Sequence, residues 1–288
     1  MYRPVAIRNI DSKNVSFVVG QAKSGRNPPI NVKYEGANLL IGLPRMSFPG
    51  GVLVRESDQP GAMTSYTLIG TLKGCDPYAK ERAPAGCDDI GHFYNFLLDM
   101  EENIIRSAVE NSVKWFGKKR SEEAVRDGFK RILSISSDKV DGEYIPNGKY
   151  PPSFRVKLPV YDGRLSCAVE DNMKNPVYTT PDTLTSVFPK GVDVGLVISG
   201  SIYVIAGGGF GVTWRMQAAQ VWPQARARVT DFFQAEAPRE DADASEENLG
   251  EEAVHPESQQ RPSTPVDQGT TLPAQNAPAR KRRVAPAT

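Results

Sequence analysis

The run GSIYVIAGGGFGVTWRMQAAQVWP, residues 200–223, concentrates the residue types most able to do chemistry. Gly207, Gly208, Gly209 and Gly211 fall within five positions, Trp214 and Arg215 follow as a pair, and Arg215 carries the run's first charge. A phosphate loop of the Walker type needs a lysine directly after its last glycine, to reach the terminal phosphates. No lysine follows Gly211, and Thr213 precedes Trp214. A dinucleotide loop needs G-x-G-x-x-G opening a helix. Here Gly207, Gly209 and Gly211 are evenly spaced, and the residues beyond them alternate. Val212, Trp214, Met216 and Ala218 share one face; Thr213, Arg215 and Gln217 share the other. That period suits a strand, although WRMQAAQVW taken alone also fits a helix. Val194 to Trp214 is uncharged and long enough to span a bilayer. Its six glycines disfavour a helix by about 1 kcal/mol each relative to alanine. A hairpin turning at 207–209 accounts for both the glycines and the β-branched residues around them.

Metal and nucleophile chemistry find little support. Cys75 and Cys87 lie twelve apart, unlike the close cysteine pairs of structural zinc sites. A set drawn from Cys75, Cys87, His92 and Cys167 is scattered, and scattered residues of these types mostly serve as core or loop. With His92 alone outside the C-terminal segment, no Ser-His-Asp or Cys-His arrangement is specified. Asp88, Asp89, Glu101 and Glu102 read as a helix start and a solvated face. The expectation is a protein that is not an enzyme and has no cofactor and no metal.

What remains is a mixture of rings and cations on strand-like segments. Lys33 with Tyr34, Arg45 near Phe48, Tyr66 with Lys73, then Phe154, Arg155, Lys157 and Tyr161, and finally Trp214 with Arg215 make up the candidate nucleic-acid-binding set. Single-stranded nucleic acid calls for such a mixture: rings stack on bases at roughly 1–3 kcal/mol each, and cations follow the phosphates. The competing account is core packing, because half the side chains of a strand point inward. Arg155 and Lys157 belong on the open face, since burying them unpaired is costly.

These residues need elements to hold them. NVSFVVGQAKSG, INVKYEGANLLIGLP, GGVLVRES and TSYTLIGTLKG read as short strands closed by Gly, Asn and Pro. The period then changes: Phe93, Leu97, Met100, Ile104, Ala108 and Val109 recur at three- and four-residue steps, predicting an amphipathic helix. Asp88 or Asp89 would cap it and Gly117 would end it. A second helix follows from Ser121, with Glu122 and Glu123 in its first turn and Lys130 and Arg131 in its last. Strands resume with SFRVKLPVYDG, in which Phe154, Val156 and Leu158 alternate with Arg155, Lys157 and Pro159. They continue through RLSCAVED, VDVGLVISG, SIYVIA and GVTWRMQAAQVW. No internal repeat is evident. The expected fold is mainly β with a helical insert near residues 89–133, as a small barrel or sandwich.

The 288 residues allow one sizeable domain and a tail, or two small domains. Residues 1–230 carry 29 Lys and Arg against 23 Asp and Glu, whereas residues 231–288 carry six against eleven. The segment beyond Asp231 is acidic and then rich in Pro, Gln, Thr and Ala, a composition expected to be disordered. It ends with the basic cluster Arg280, Lys281, Arg282 and Arg283, which reads as an import signal or a further nucleic-acid contact. Three cysteines and no signal-peptide pattern at residues 1–10 lead to an intracellular expectation.

The run SGSIYVIAGGGFGVTWRMQAAQVWP resembles the final hairpin of the single-stranded DNA-binding proteins of large nucleocytoplasmic DNA viruses. Those are similar to the replication single-strand binders of some phages. The shared cues are a strand, a Gly-Phe-Gly turn, Thr-Trp-basic, and a Gln/Ala/Val run closing on Pro. The order of elements fits as well. The resemblance implies an OB-fold barrel over residues 1–230 and sequence-independent binding of single-stranded DNA in viral replication, recombination or repair, in the host nucleus or a replication factory. Carried over, it favours Trp214 and Arg215. It implies an acidic tail that competes with DNA and recruits replication proteins. Residues 231–257 hold ten acids against Arg239 alone, so removing the tail is expected to strengthen binding. The chain departs from the phage pattern by ending basic. No membrane partner is expected, and a homo-oligomer is compatible. The alternative is a virion structural or assembly protein with a β-sandwich fold, using the same hairpin for assembly.

Overall fold

Alternating burial, the mark of strands with one face packed, runs through most of this chain. The computed structural model describes residues 3–21, 28–56 and 63–222. The expectations for residues 231–288 lie outside the described residues. In chain order the first strands are β1 (Val5–Ala6), β2 (Val15–Val19), β3 (Ile30–Tyr34), β4 (Ala37–Asn38), β5 (Leu40–Gly42), β6 (Met46–Phe48), β7 (Val52–Arg55) and β8 (Ser65–Thr71). The helical insert follows as α1 (Asp89–Glu110), α2 (Ser112–Phe116) and α3 (Glu122–Gly128). Then come β9 (Phe129–Lys130), β10 (Ser137–Val140), β11 (Glu143–Pro146), β12 (Ser153–Lys157), β13 (Val160–Tyr161), β14 (Arg164–Leu165), β15 (Ala168–Asp171), α4 (Leu184–Val187), β16 (Val192–Val204) and β17 (Phe210–Trp222).

The long hairpin β16–β17 is the spine of the main sheet. Its antiparallel register runs from Asp193↔Trp222 to Val204↔Phe210, so the uncharged stretch 194–214 forms two strands and not a span. No helix among the described residues is long and apolar enough to cross a membrane. β12 joins β17 in parallel and β8 antiparallel, and β7 completes that side. β3, β5 and β6 pair with β16 on the other side.

The sheet does not close into a barrel; its hydrogen-bonded order is open from β1 to β7. β6 and β7, joined by the turn at Gly50 and Gly51, do not pair with each other. The segment after α4 bonds to both: Val52 N–H donates to Phe188 O at 3.0 Å, and Gly191 N–H to Phe48 O at 3.1 Å. Gly51, at φ +60°, leaves no room for a side chain, because a Cβ would stand 2.6 Å from Phe188 O. The OB-barrel expectation is therefore corrected to an open, mainly β sheet with a helical insert.

The insert is shorter than expected. Asp88 caps α1, its carboxylate accepting from Gly91 N–H at 2.8 Å. Gly117, at φ 74°, closes α2, and Ser121 caps α3. α1 buries Phe93, Leu97, Met100, Ile104 and Ala108 against the sheet. Lys130 and Arg131 do not complete a helix. α3 stops at Gly128, and Phe129–Lys130 becomes a strand edge paired with Phe210–Gly211. Helix-poor Gly128 weakens the last turn, and the Phe129 ring gains a contact with Phe210 at 5.2 Å.

Candidate nucleic-acid interface

Three of the expected cations converge. On β12, Phe154 and Val156 point into the core, so Arg155 and Lys157 point out. On β17, Trp214 and Met216 point in, so Arg215 points out. The parallel register places Lys157 opposite Arg215 and Val156 opposite Trp214. Lys130 at the end of β9 and Arg131, the residue after it, join them. Together they line a cleft of about 530 Å³ that also receives Ser134, Thr213 and Tyr203.

The charges in this cleft are unequal in their freedom. Arg131 is held, with Nε donating to Glu101 Oε2 at 3.1 Å and Nη2 to Ala79 O at 3.2 Å. Glu101, buried on α1, also accepts from the amides of Ile132 (2.6 Å) and Leu133 (3.2 Å), which fixes the cleft's lower rim. Arg215 Nη1 donates to Ser201 Oγ at 3.0 Å. Among the described residues, no carboxylate pairs with Lys130, Arg155, Lys157 or Arg215, whereas Arg8, Arg45, Arg82 and Lys149 each have one and Arg126 has two. No histidine, cysteine or acid lines the cleft. Its chemistry is attraction for an anion, hydrogen bonding from hydroxyls, and contact with one ring.

That ring is Tyr203, which lies outside the set of rings and cations expected from the sequence. Its neighbours Ile202 and Ile198 are buried, so the alternation in SGSIYV already turns it outward with Ser199 and Ser201. Tyr203 faces Gly211 across the hairpin. A Cβ at Gly211 would stand 2.9 Å from the Tyr203 hydroxyl, so the glycine lets the ring lie over the strand. Burial pushes the Tyr203 phenol up from its ordinary value, and its hydroxyl can donate a hydrogen bond.

The expected rings are corrected. Trp214 is 2% exposed, with its indole packed on Gly200 and its Nε1 without a partner. It reaches the cleft only as part of the floor. Phe154 is fully buried, edge-on to Phe93 at 4.9 Å between centroids. Tyr34 is buried too, its hydroxyl accepting from Asp11 N–H at 3.3 Å. Tyr66 is half-buried on β8, packed against the core. In each case a neighbour of opposite facing is polar or charged, and the apolar ring takes the core position because burial removes more apolar area there.

The remaining candidates lie outside the cleft. Lys33 donates to Asn38 Oδ1 at 2.6 Å on β3. Arg45 pairs with Asp193 at 2.7 Å and lies over the Trp222 ring at 5.1 Å, near the opposite end of the hairpin. Lys73 is exposed in the turn after β8, and Tyr161 is exposed on the separate hairpin β13–β14.

A β-bulge sets the limit of the basic face. Val197 pairs with Ala218, but Ile198 pairs with Met216, leaving Gln217 as the extra residue. Inward positions thus switch from Trp214 and Met216 to Ala219 and Val221. Ala218 does not share the face of Met216, contrary to a strict period of two; the added residue reverses the alternation. Gln217 Nε2 donates to Ser199 Oγ at 2.8 Å.

Burial pushes the thiols of Cys75 and Cys167 up to about 11. Among the described residues, no group of three or more His, Cys, Asp or Glu side chains is placed to hold a metal ion.

No family model and no curated protein matches this sequence. Among solved structures, the chain is similar to the crystal structure of gp2.5, a single-stranded DNA binding protein encoded by bacteriophage T7. The TM-score is 0.40 and the identity 12%, over 73% of this chain and 100% of that one. A likeness of that size carries no weight for function, and the viral family resemblance rests on the sequence of residues 199–223.

Proposed function

We propose that this chain binds single-stranded DNA without sequence preference and without catalysing a reaction. The observation that carries this reading is the convergence of Arg155, Lys157, Arg215 and Lys130 on one cleft with no carboxylate among them. Like charges held together on a rigid sheet raise the local potential for an anion. A polyanion neutralises them and releases its counterions. The partly covered ring of Tyr203 and the apolar edges of Val212 and Ile132 favour an unpaired base, which a duplex keeps stacked inside. The cleft presents no paired Asn, Gln or acid that would read a base edge. The likeness of residues 199–223 to the viral single-strand binders supports a role in replication, recombination or repair of viral DNA, with replication proteins as partners.

The test is fluorescence anisotropy with labelled oligothymidylate, in single- and double-stranded form, at several salt concentrations. Four phosphate contacts predict that log K falls against log salt with a slope of about −3, and that the single strand binds more tightly. Absence of binding at low salt would overturn the proposal.

A further inference from the structure

The tip of the β16–β17 hairpin carries a second collection of cations. Lys114, Lys118 and Arg120, from α2 and the loop after it, surround a cavity of about 460 Å³ floored by Phe116, Ile205 and Gly207. Lys114, Lys118 and the neighbouring Lys119 are exposed, and among the described residues none pairs with a carboxylate. No acid lines this cavity.

Arg120 is built into it. Its guanidinium lies over the Phe116 ring at 4.5 Å, and Nη1 donates to Gly208 O at 3.1 Å. Gly208, at φ +93°, leaves no space for a Cβ beneath that guanidinium. The Nε of Arg120 is buried with no hydrogen-bond partner. Beside it Ile205 is 56% exposed. A planar cation next to open apolar surface, with two exposed ammonium groups nearby, suits a ligand that is flat on one side and anionic on the other. A nucleotide within a strand has that character.

The two sites lie on one route. Gly208 lies in the turn that leads into β17, and from Phe210 to Arg215 that strand covers about 17 Å at the rise of an extended chain. Lys130, opposite Gly211 on β9, stands between them. We propose that the hairpin tip is a second subsite for the same strand. Lys114 and Lys118 take phosphates, and the exposed Ile205 seats a base beside the charge of Arg120. The bound strand runs from the cleft past Lys130 to the tip. This rests on the cleft binding single-stranded DNA.

The experiment compares wild type with the double variant Lys114→Ala/Lys118→Ala, and separately Ile205→Ala. Each is titrated with oligothymidylates of about four and about sixteen nucleotides. On the longer oligomer the double variant should bind several-fold more weakly, with a salt slope shallower by about 1.4, two phosphate contacts' worth. Ile205→Ala should weaken binding with no change of slope. On the shorter oligomer, which the cleft alone accommodates, the penalties should vanish. The inference is overturned if the double variant matches wild type on the longer oligomer in affinity and slope, or loses equally on both lengths. If wild type binds neither oligomer, it is the cleft proposal that fails.

Discussion

Lys157 and Arg215 stand opposite each other on adjacent parallel strands, both facing solvent, with no carboxylate partner among the described residues. Like charges directly across a sheet are mildly destabilising. Their neighbours Val156 and Trp214 are a buried apolar pair in the same register, so the backbone that packs the core also forces the two cations together. Lys157→Ala should therefore leave stability unchanged or raise it by up to about 0.5 kcal/mol, while weakening binding of single-stranded DNA. Urea denaturation read alongside a binding titration checks this. A clear loss of stability would mean that Lys157 has a structural partner.

Trp214 is expected to act on the fold and not on the ligand. Trp214→Ala should cost about 3–5 kcal/mol. Gly200→Ala, whose Cβ would stand 2.7 Å from the indole, should cost about 1–3 kcal/mol through overpacking. Trp214→Phe should keep the affinity for single strands near that of wild type. A large loss of affinity in a folded Trp214→Phe protein would return the indole to the interface.

Tyr203 is expected to do the stacking instead. Tyr203→Ala should lose about 1–3 kcal/mol of binding with little change in thermal midpoint, and Tyr203→Phe should retain most of the affinity. Equal loss in the two variants would assign the effect to the hydroxyl and not to the ring.

Much of the acid sensitivity near the start of the helical insert should come from Asp76. Its carboxylate accepts the amides of Glu81 (2.9 Å), Lys80 (2.7 Å) and Tyr78 (3.0 Å), which hold its pKa below the ordinary carboxylate value. A lowered pKa contributes stability above the unfolded value of about 3.9, and that contribution is lost as pH falls through the folded value. Asp76→Asn should be less stable than wild type at neutral pH, and the difference should shrink below about pH 4. A difference that stays constant with pH would contradict this.

The alternation that locates these strands also carried information about the interface. In Thr213-Trp214-Arg215 and Phe154-Arg155, a strand must send ring and cation to opposite faces, so a face that shows Arg155 and Arg215 to solvent buries Phe154 and Trp214. Residue type drew the rings into the candidate set, and strand parity removes them. The helix α1 was legible because its apolar positions recur over five turns of one face. The end of α3 was not: Lys130 and Arg131 fit a helical last turn, and only the pairing of Phe129–Lys130 with the β17 edge makes them part of the cleft. The bulge at Gln217 and the docking of the Phe188 segment on β7 are tertiary outcomes with no local signature. The exposed hairpin β10–β11, bearing Tyr144 and Ile145, was missed because its residues are exposed on both faces and show no alternation.

The central claim is that Arg155, Lys157 and Arg215 form one anion site for a single strand. It is tested most directly by titrating labelled oligothymidylate with wild type and with the triple variant Arg155→Ala/Lys157→Ala/Arg215→Ala across a range of salt. The account predicts weaker binding by the folded triple variant and a salt slope shallower by about 2, at about 0.7 per phosphate contact removed. A triple variant that binds with the affinity and slope of wild type would contradict it.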